Sequence, residues 1–170
     1  MFPPDFSLRE ATEADLPTVV EIYNSTIASR MVTADLEPVT VDARRAWFAA
    51  HQSASRPLWV LCDAHGFVCA WLSFDTFFSR AAYDGTALIG IYVAATHRRH
   101  GLGRALLLTA IERAPSLGLH SLLGYIFGHN DPSLALFESQ GFTRWGHLPG
   151  IAVLDGAARD LVIVGRRLTP

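Results

Sequence analysis

Cysteine is scarce in this chain: Cys62 and Cys69 are the only two in 170 residues. So small a number excludes a disulfide framework, and no cysteine–histidine cluster stands at zinc-ligand spacing, so no metal site is read here. The two thiols flank a predicted hairpin turn, where they could face one another, and they read as free and buried. Net charge is equally slight, −2 at pH 7, which excludes the basic balance of a nucleic-acid-binding protein. No apolar run approaches membrane-spanning length, and Met1 to Ser7 lacks the charged and apolar regions of a signal peptide. The expectation is a soluble cytoplasmic protein with no membrane or nucleic-acid partner. Internal repeats, low-complexity tracts and interdomain linkers are also missing. What the chain has in quantity is apolar side chains, 50% of its residues, enough to build the core of one domain over residues 1–170.

The most informative stretch runs from Leu88 to Arg104. Its apolar run to Val93 reads as a buried strand. A short basic loop closed by Gly101 and Gly103 follows, and from Arg104 the apolar residues recur at helical spacing. Strand, basic glycine loop and helix in that order make an anion site. The first N–H groups of a helix have no internal partner, and the helix dipole favours negative charge there. Glycine admits a ligand close to the backbone, while Arg98, Arg99, Arg104 and His100 supply counter-charge. A phosphate-bearing ligand is expected. The nucleotide P-loop is excluded because no Lys-Ser/Thr pair follows the glycines. The dinucleotide fingerprint is weak because Leu106 stands where its third glycine belongs.

Taken in order, Ser7 to Glu10 is a short strand, and Thr12 caps a helix carrying Leu16, Val19, Val20, Ile22, Tyr23 and Ile27. Ala28 to Val39 is a loop. Thr40 caps a second helix reaching about Gln52, with Trp47 and Phe48 on its apolar side. Leu58 to Cys62 and Phe67 to Ser73 form a hairpin through Ala64-His65-Gly66, and a longer connection, Asp75 to Gly85, leads into the strand before the glycine loop. The helix after that loop ends near Leu117-Gly118. His120 to Phe127 is the next strand, parallel to the organising one because a helix joins them. Asn130 opens a fourth helix that closes at Gly141. Phe142 to Leu148 and Asp160 to Leu168 are the last strands, split by an irregular segment. The order β-α-α-β-β-β-α-β-α-β-β fits an α/β domain with a mixed sheet.

Two motifs, Arg98-x-x-Gly101-x-Gly103 and Asn130-x-x-Ser133-x-x-x-Phe137-x-x-x-Gly141-Phe142, resemble the coenzyme-binding loop and helix of the GCN5-related N-acetyltransferases. The resemblance implies that family's mixed, mostly antiparallel sheet (α+β) and acetyl-CoA as ligand. Its pyrophosphate would rest on the backbone of Arg99, His100, Gly101, Leu102, Gly103 and Arg104 beside Arg98. The strand residues Ile91, Tyr92 and Val93 would lie along the coenzyme, with Asn130 near the pantetheine arm and Ser133 and Phe137 facing it. Further segments, Ala11 to Pro17, Glu21-Ile-Tyr-Asn, Arg44-Arg-Ala-Trp-Phe and Ile111-Glu-Arg-Ala among them, resemble the phosphinothricin and methionine sulfone acetyltransferase branch from Leu8 to about Leu161. That branch acetylates the α-amine of small amino-acid analogues and is usually homodimeric, so a small-molecule amine and a homodimer are implied.

The departures from the branch fall at its chemistry. Leu88 stands where a glutamate is usual, Phe137 where histidine or tyrosine is usual, and Ser29-Arg-Met-Val in the substrate loop. An ammonium group must lose a proton before attacking a thioester, and a general base contributes about 10²–10⁴-fold. Leu88 cannot serve. Asp75, beyond the Ser73-Phe74 strand end, is the candidate replacement, with Tyr92 a candidate acid. Proximity and a backbone N–H from Ile91 to Val93 would act without any side-chain base. Met31, Phe74, Asp75 and Leu88 are the expected substrate contacts, in a pocket less polar than the branch's. The alternatives are a non-catalytic acyl-CoA sensor that kept the loop and lost the base, and a nucleotide or nucleic-acid binding module.

Overall fold

The computed structural model describes residues 2–168. Its strands and helices follow the expected order: β1 (Ser7–Glu10), α1 (Leu16–Ile27), α2 (Val41–Ala50), β2 (Leu58–Cys62), β3 (Val68–Thr76), β4 (Thr86–Val93), α3 (Leu102–Arg113), β5 (Ser121–Phe127), α4 (Asp131–Ser139), β6 (Thr143–Leu154) and β7 (Ala157–Arg167). The seven strands form one sheet in the order β1-β2-β3-β4-β5-β7-β6. Every pairing is antiparallel except β4 with β5. A crossover through α3 requires that exception, because a helix returning the chain to the same end of the sheet leaves the two strands running alike.

The sheet divides two cores. One face carries Leu61, Leu72, Phe74, Ala87, Ile89 and Leu122 against Leu102, Leu106 and Leu107 of α3 and Leu134 and Phe137 of α4. The other carries Leu58, Val60 and Trp71 against Leu16, Val19, Val20 and Tyr23 of α1 and Phe48 of α2. Because strand side chains alternate, neighbouring residues serve different cores. The thiols show the consequence: Cys62 belongs to the second core and Cys69 to the first. Both are free and buried.

Two boundaries differ from the sequence reading. β3 runs on through Asp75 to Thr76 because Phe74, Asp75 and Thr76 pair with Ile89, Leu88 and Ala87. This makes Asp75 a strand residue rather than the start of a loop. The Gly- and Ala-rich stretch expected to be irregular is the tip of a long β6–β7 hairpin, paired to Leu154↔Ala157 and turning at Asp155-Gly156. Main-chain bonding sustains that ladder where the side chains give little pattern.

At the start of α1, Asp15 gathers four donors. Arg9 meets it with two nitrogens at 2.7 and 2.8 Å, and the Thr12 N–H and hydroxyl donate at 2.7 and 2.9 Å. The Arg9 bonds outweigh the desolvation that would raise the carboxyl, and with Thr12 they hold its pKa at about 2. A carboxylate depressed in the folded state stabilises fully above its unfolded pKa, near 4, and loses that contribution as pH falls towards 2. Asp15→Asn should therefore cost about 1–2 kcal/mol at pH 7, after allowance for the half-exposed Arg9. Urea unfolding at pH 7 and at pH 2.5 checks it: the gap between wild type and variant should close at the lower pH.

Candidate active site

β4 and β5 stay together for only three residue pairs, Thr86↔Ser121, Ala87↔Leu122 and Leu88↔Leu123. Both strands continue, β4 to Val93 and β5 to Phe127, so the sheet opens between them. On its other edge β4 remains paired to β3 as far as Val93↔Ala70, and the Ala94 N–H donates to the Cys69 carbonyl at 2.8 Å. Antiparallel residues alternate between bonding a neighbour and facing away from it. Counting back from Ala94, the N–H and C=O groups of Ile89, Ile91 and Val93 therefore face the opening. Val93 bears this out, its carbonyl accepting from Arg98 Nε at 3.2 Å. An exposed sheet edge inside a cleft accepts an extended, amide-bearing ligand as it would accept a strand.

A cavity of about 440 Å³ fills the opening on the α3/α4 side, lined by Ile91, Val93, Arg98, Gly103, Gly124, Ser133 and Phe137 and roofed by Thr26, Ser29 and Met31. At its outer end α3 begins. Gly101 there has φ +76° and Arg99 φ +65°, and the helical ladder starts with Ala105 N–H to the Gly101 carbonyl. The N–H groups of Leu102, Gly103 and Arg104 thus have no helical partner. The Leu102 side chain is buried in the core, so this residue offers only its backbone, while Arg98, Arg99, His100 and Arg104 are exposed. The site therefore pairs a strand edge for amides with a cationic helix start for phosphates.

A second cavity of about 240 Å³ lies on the α1/α2 face, lined by Tyr23, Arg44, Trp47, Trp71, Ser73, Asp75, Leu88, Tyr92 and Tyr125. Ile89, Gly90, Tyr92 and Tyr125 border both cavities. The junction is tight: a Cβ on Gly90 would lie 3.0 Å from Ser73 Oγ and 3.3 Å from the Tyr92 ring.

Asp75 is the carboxylate lining this second cavity. Trp47 Nε1 donates to its Oδ1 at 2.9 Å and Ser73 Oγ to its Oδ2 at 2.6 Å, and His51 Nε2 stands 3.3 Å from Oδ1. Burial pushes the carboxyl up, but His51, Ser73 and Trp47 together bring it below the ordinary carboxylate range. For His51, burial works against the charged form, yet the Asp75 carboxylate and the Trp47 carbonyl hold its pKa above the usual imidazole value. Tyr92 stacks on Trp71, ring centroids 4.2 Å apart at 18°. Burial raises its phenol above the ordinary tyrosine value, so it is a protonated donor at neutral pH.

Two expected substrate contacts, Phe74 and Met31, lie away from the second cavity. Phe74 does not touch the second cavity. It is fully buried on the opposite face, edge-on to Trp59 at 4.9 Å, because alternation sends Ser73 and Asp75 one way and Phe74 the other. Met31 lines the larger cavity instead of the acceptor side. The backbone of Tyr92 belongs to the β3 ladder, so this residue offers the cleft its ring. Asn130 Oδ1 accepts from the Ser133 N–H at 3.2 Å and Nδ2 donates to the Met31 carbonyl at 2.8 Å. Its amide caps α4 and braces the loop over the cleft. His51, Trp47, Ser73, Arg44 and Tyr23 escaped the sequence reading, although the four-residue spacing of Trp47 and His51 places them on one helical face.

The chain matches the model of the Acetyltransferase (GNAT) family over residues 19–142. It is 55% identical over 163 residues to the Bacillus subtilis protein named "Putative phosphinothricin acetyltransferase YwnH", covering 96% of this chain and 99% of that one. It is 33% identical over 164 residues to the L-methionine sulfoximine/L-methionine sulfone acetyltransferase of Pseudomonas paraeruginosa, covering 96% and 95%. The crystal structure of a phosphinothricin acetyltransferase from Sinorhizobium meliloti in complex with acetyl-CoA superposes with a TM-score of 0.90 at 27% identity, covering 96% and 89%. The chain belongs to the GNAT acetyltransferase family, and within it to the phosphinothricin branch.

The cleft depends on close packing of α4 under β5. A Cβ on Gly124 would lie 2.9 Å from the Phe137 ring and 3.1 Å from Val164. Gly124→Ala should cost about 1–3 kcal/mol by overpacking. If Phe137 is the main obstacle, Gly124→Ala combined with Phe137→Leu should unfold in urea with a less than additive loss. Full additivity would assign the strain elsewhere.

Proposed function

We propose that this protein transfers the acetyl group of acetyl-CoA to the primary amine of a small, amino-acid-like molecule. The observation that carries the reading is the free backbone edge of Ile91 and Val93, lying in one cleft with the cationic start of α3. Acetyl-CoA joins a pyrophosphate to an amide-bearing pantetheine arm, and it supplies an activated acyl thioester. The backbone from Arg99 to Arg104, beside Arg98, would hold the phosphates. Ile91 and Val93 would hold the arm, with Ser133 and Phe137 as the facing wall. The amine would enter from the α1/α2 side, where Asp75 faces it among Trp47, Trp71, Tyr92 and Leu88. These largely apolar walls favour an acceptor less polar than a highly anionic amino acid. A carboxylate retained in the pocket favours an enzyme over a sensor that only binds acyl-CoA.

Thermal-shift titration with acetyl-CoA tests the coenzyme site. Ligand that binds only the folded chain raises the melting temperature with concentration. Wild type should shift, and the Arg98→Ala/Gly101→Asp double variant should not. An amine panel read by free-thiol release tests turnover. All fourteen cationic side chains are arginine, so no lysine ε-amine is present to acetylate itself and raise the background.

We further propose that the enzyme acts in the cytoplasm as a homodimer. No described helix is long and apolar enough to cross a membrane. Edge strand β6 leaves Trp145, Leu148, Ile151 and Val153 at 48%, 40%, 63% and 61% exposure, apolar side chains along a sheet edge that a second copy would cover. Trp145→Glu with Ile151→Glu should convert a dimer to monomer in light scattering after size exclusion. A wild-type monomer would overturn the assignment.

A further inference from the structure

The antiparallel partner of Leu88 on β3 is Asp75. Residues directly opposite in such a ladder have Cβ atoms about 4.5–5.5 Å apart, and both side chains line the second cavity. Asp75 therefore places a carboxylate in this pocket beside Leu88, which lies two residues along β4 from Gly90, where the two cavities meet.

His51 lies behind it. The Nδ1 atom is 2.8 Å from the Trp47 carbonyl, which can only accept, so Nδ1 carries a proton. That leaves Nε2 facing Asp75 Oδ1 at 3.3 Å. With the imidazole neutral, two lone pairs would confront each other, so the pair is satisfied only when it holds a further proton. Exposure divides the roles: the Asp75 side chain is 36% exposed towards the pocket and the His51 side chain 5%. An incoming ammonium meets Asp75 and cannot touch His51.

We propose, on the acetyl-transfer reading above, that Asp75 and His51 together accept the proton of the acceptor's ammonium group, Asp75 meeting the ammonium and His51 holding the proton. One N–H bond of the ammonium breaks and one forms at His51 Nε2, with the carboxylate passing the proton between them. The charge of the pocket is unchanged, since an imidazolium replaces an ammonium beside the same carboxylate. The neutral amine keeps its lone pair for the acyl carbon. An aspartate alone is too acidic to retain an amine's proton, whereas an imidazole titrating near neutrality is matched to the task. Asp75 is thus the catalytic residue and His51 the positioning and proton-holding residue behind it. Arg44 of α2, Asp35 of the loop between α1 and α2, Tyr23 of α1, Tyr92 of β4 and Tyr125 of β5 are the other ionisable groups around this corner. Arg44 and Asp35 pair with each other at 3.5 Å, and burial keeps the three tyrosines protonated.

Two readouts test this. In NMR of ¹⁵N-histidine-labelled protein without ligands, Asp75→Asn should lower the His51 titration midpoint by about one pH unit or more, and an unmoved midpoint overturns the proposal. In steady-state assays with whichever panel amine turns over, wild-type kcat/KM should rise with pH through the His51 midpoint. His51→Gln should lose that limb and about 10²-fold in rate, while its acetyl-CoA thermal shift is retained. Wild-type turnover with no limb at the NMR midpoint overturns the proposal even if the variant fails to fold. Coupled titration without turnover on any amine overturns the transferase reading, and the role of the pair falls with it.

Discussion

The parting of β4 and β5 after Leu88 and Leu123 is the constraint on which the rest of this structure depends. Hydrogen-bonded strands that separate within a sheet leave N–H and C=O groups without partners, and such groups are costly unless something replaces the lost ladder. Here the replacement is prepared on every side. β3 holds the far edge of β4 to its end, β7 does the same for β5, and α3 and α4 press on the opening from one face. The cleft is thus a sheet interior with one seam undone, rigid because its outer edges remain paired. A ligand whose backbone resembles a peptide strand completes the seam.

The seam also explains why the site has two sides of different character. Odd-numbered residues of β4 turn towards α3 and α4, even-numbered residues towards α1 and α2. The coenzyme-type cavity is accordingly built from Ile91 and Val93, and the acceptor cavity from Leu88, Gly90 and Tyr92. Gly90 connects them because it contributes no side chain to either. Transfer between two ligands approaching from opposite faces of a sheet needs such a gap.

How much of this was legible in the sequence follows from the range over which each feature is encoded. The strand–loop–helix unit with its exposed cationic residues was readable because strand end, cationic residues, glycines and helix start lie within seventeen consecutive positions. The element order was readable from periodicity and caps. The role of Phe74 was not, because ending β3 at Ser73 concealed the alternation that turns Phe74 into the core and Asp75 into the pocket. The β6–β7 hairpin was obscured because main-chain pairing, which side-chain pattern reports only indirectly, sustains its tip. His51 was invisible for a further reason. It is 24 positions from Asp75, and the two meet only because α2 packs over β3, a tertiary contact without local signature.

Asp75 stands on β3 opposite Leu88, and its surroundings decide what it can do chemically. On β3 it is anchored by Trp47 and Ser73 and backed by an imidazole, with Leu88 as an apolar neighbour. Lower local dielectric strengthens the interaction between an incoming ammonium and Asp75. Unaided, that would hold the amine in its unreactive protonated form. An anionic group alone is therefore a poor base in this pocket, and on the proton transfer proposed above the buried histidine is what makes the carboxylate chemically useful. Leu88, Asp75 and His51 then form one arrangement on that proposal, in which the apolar neighbour strengthens the charge contact and the imidazole takes the proton.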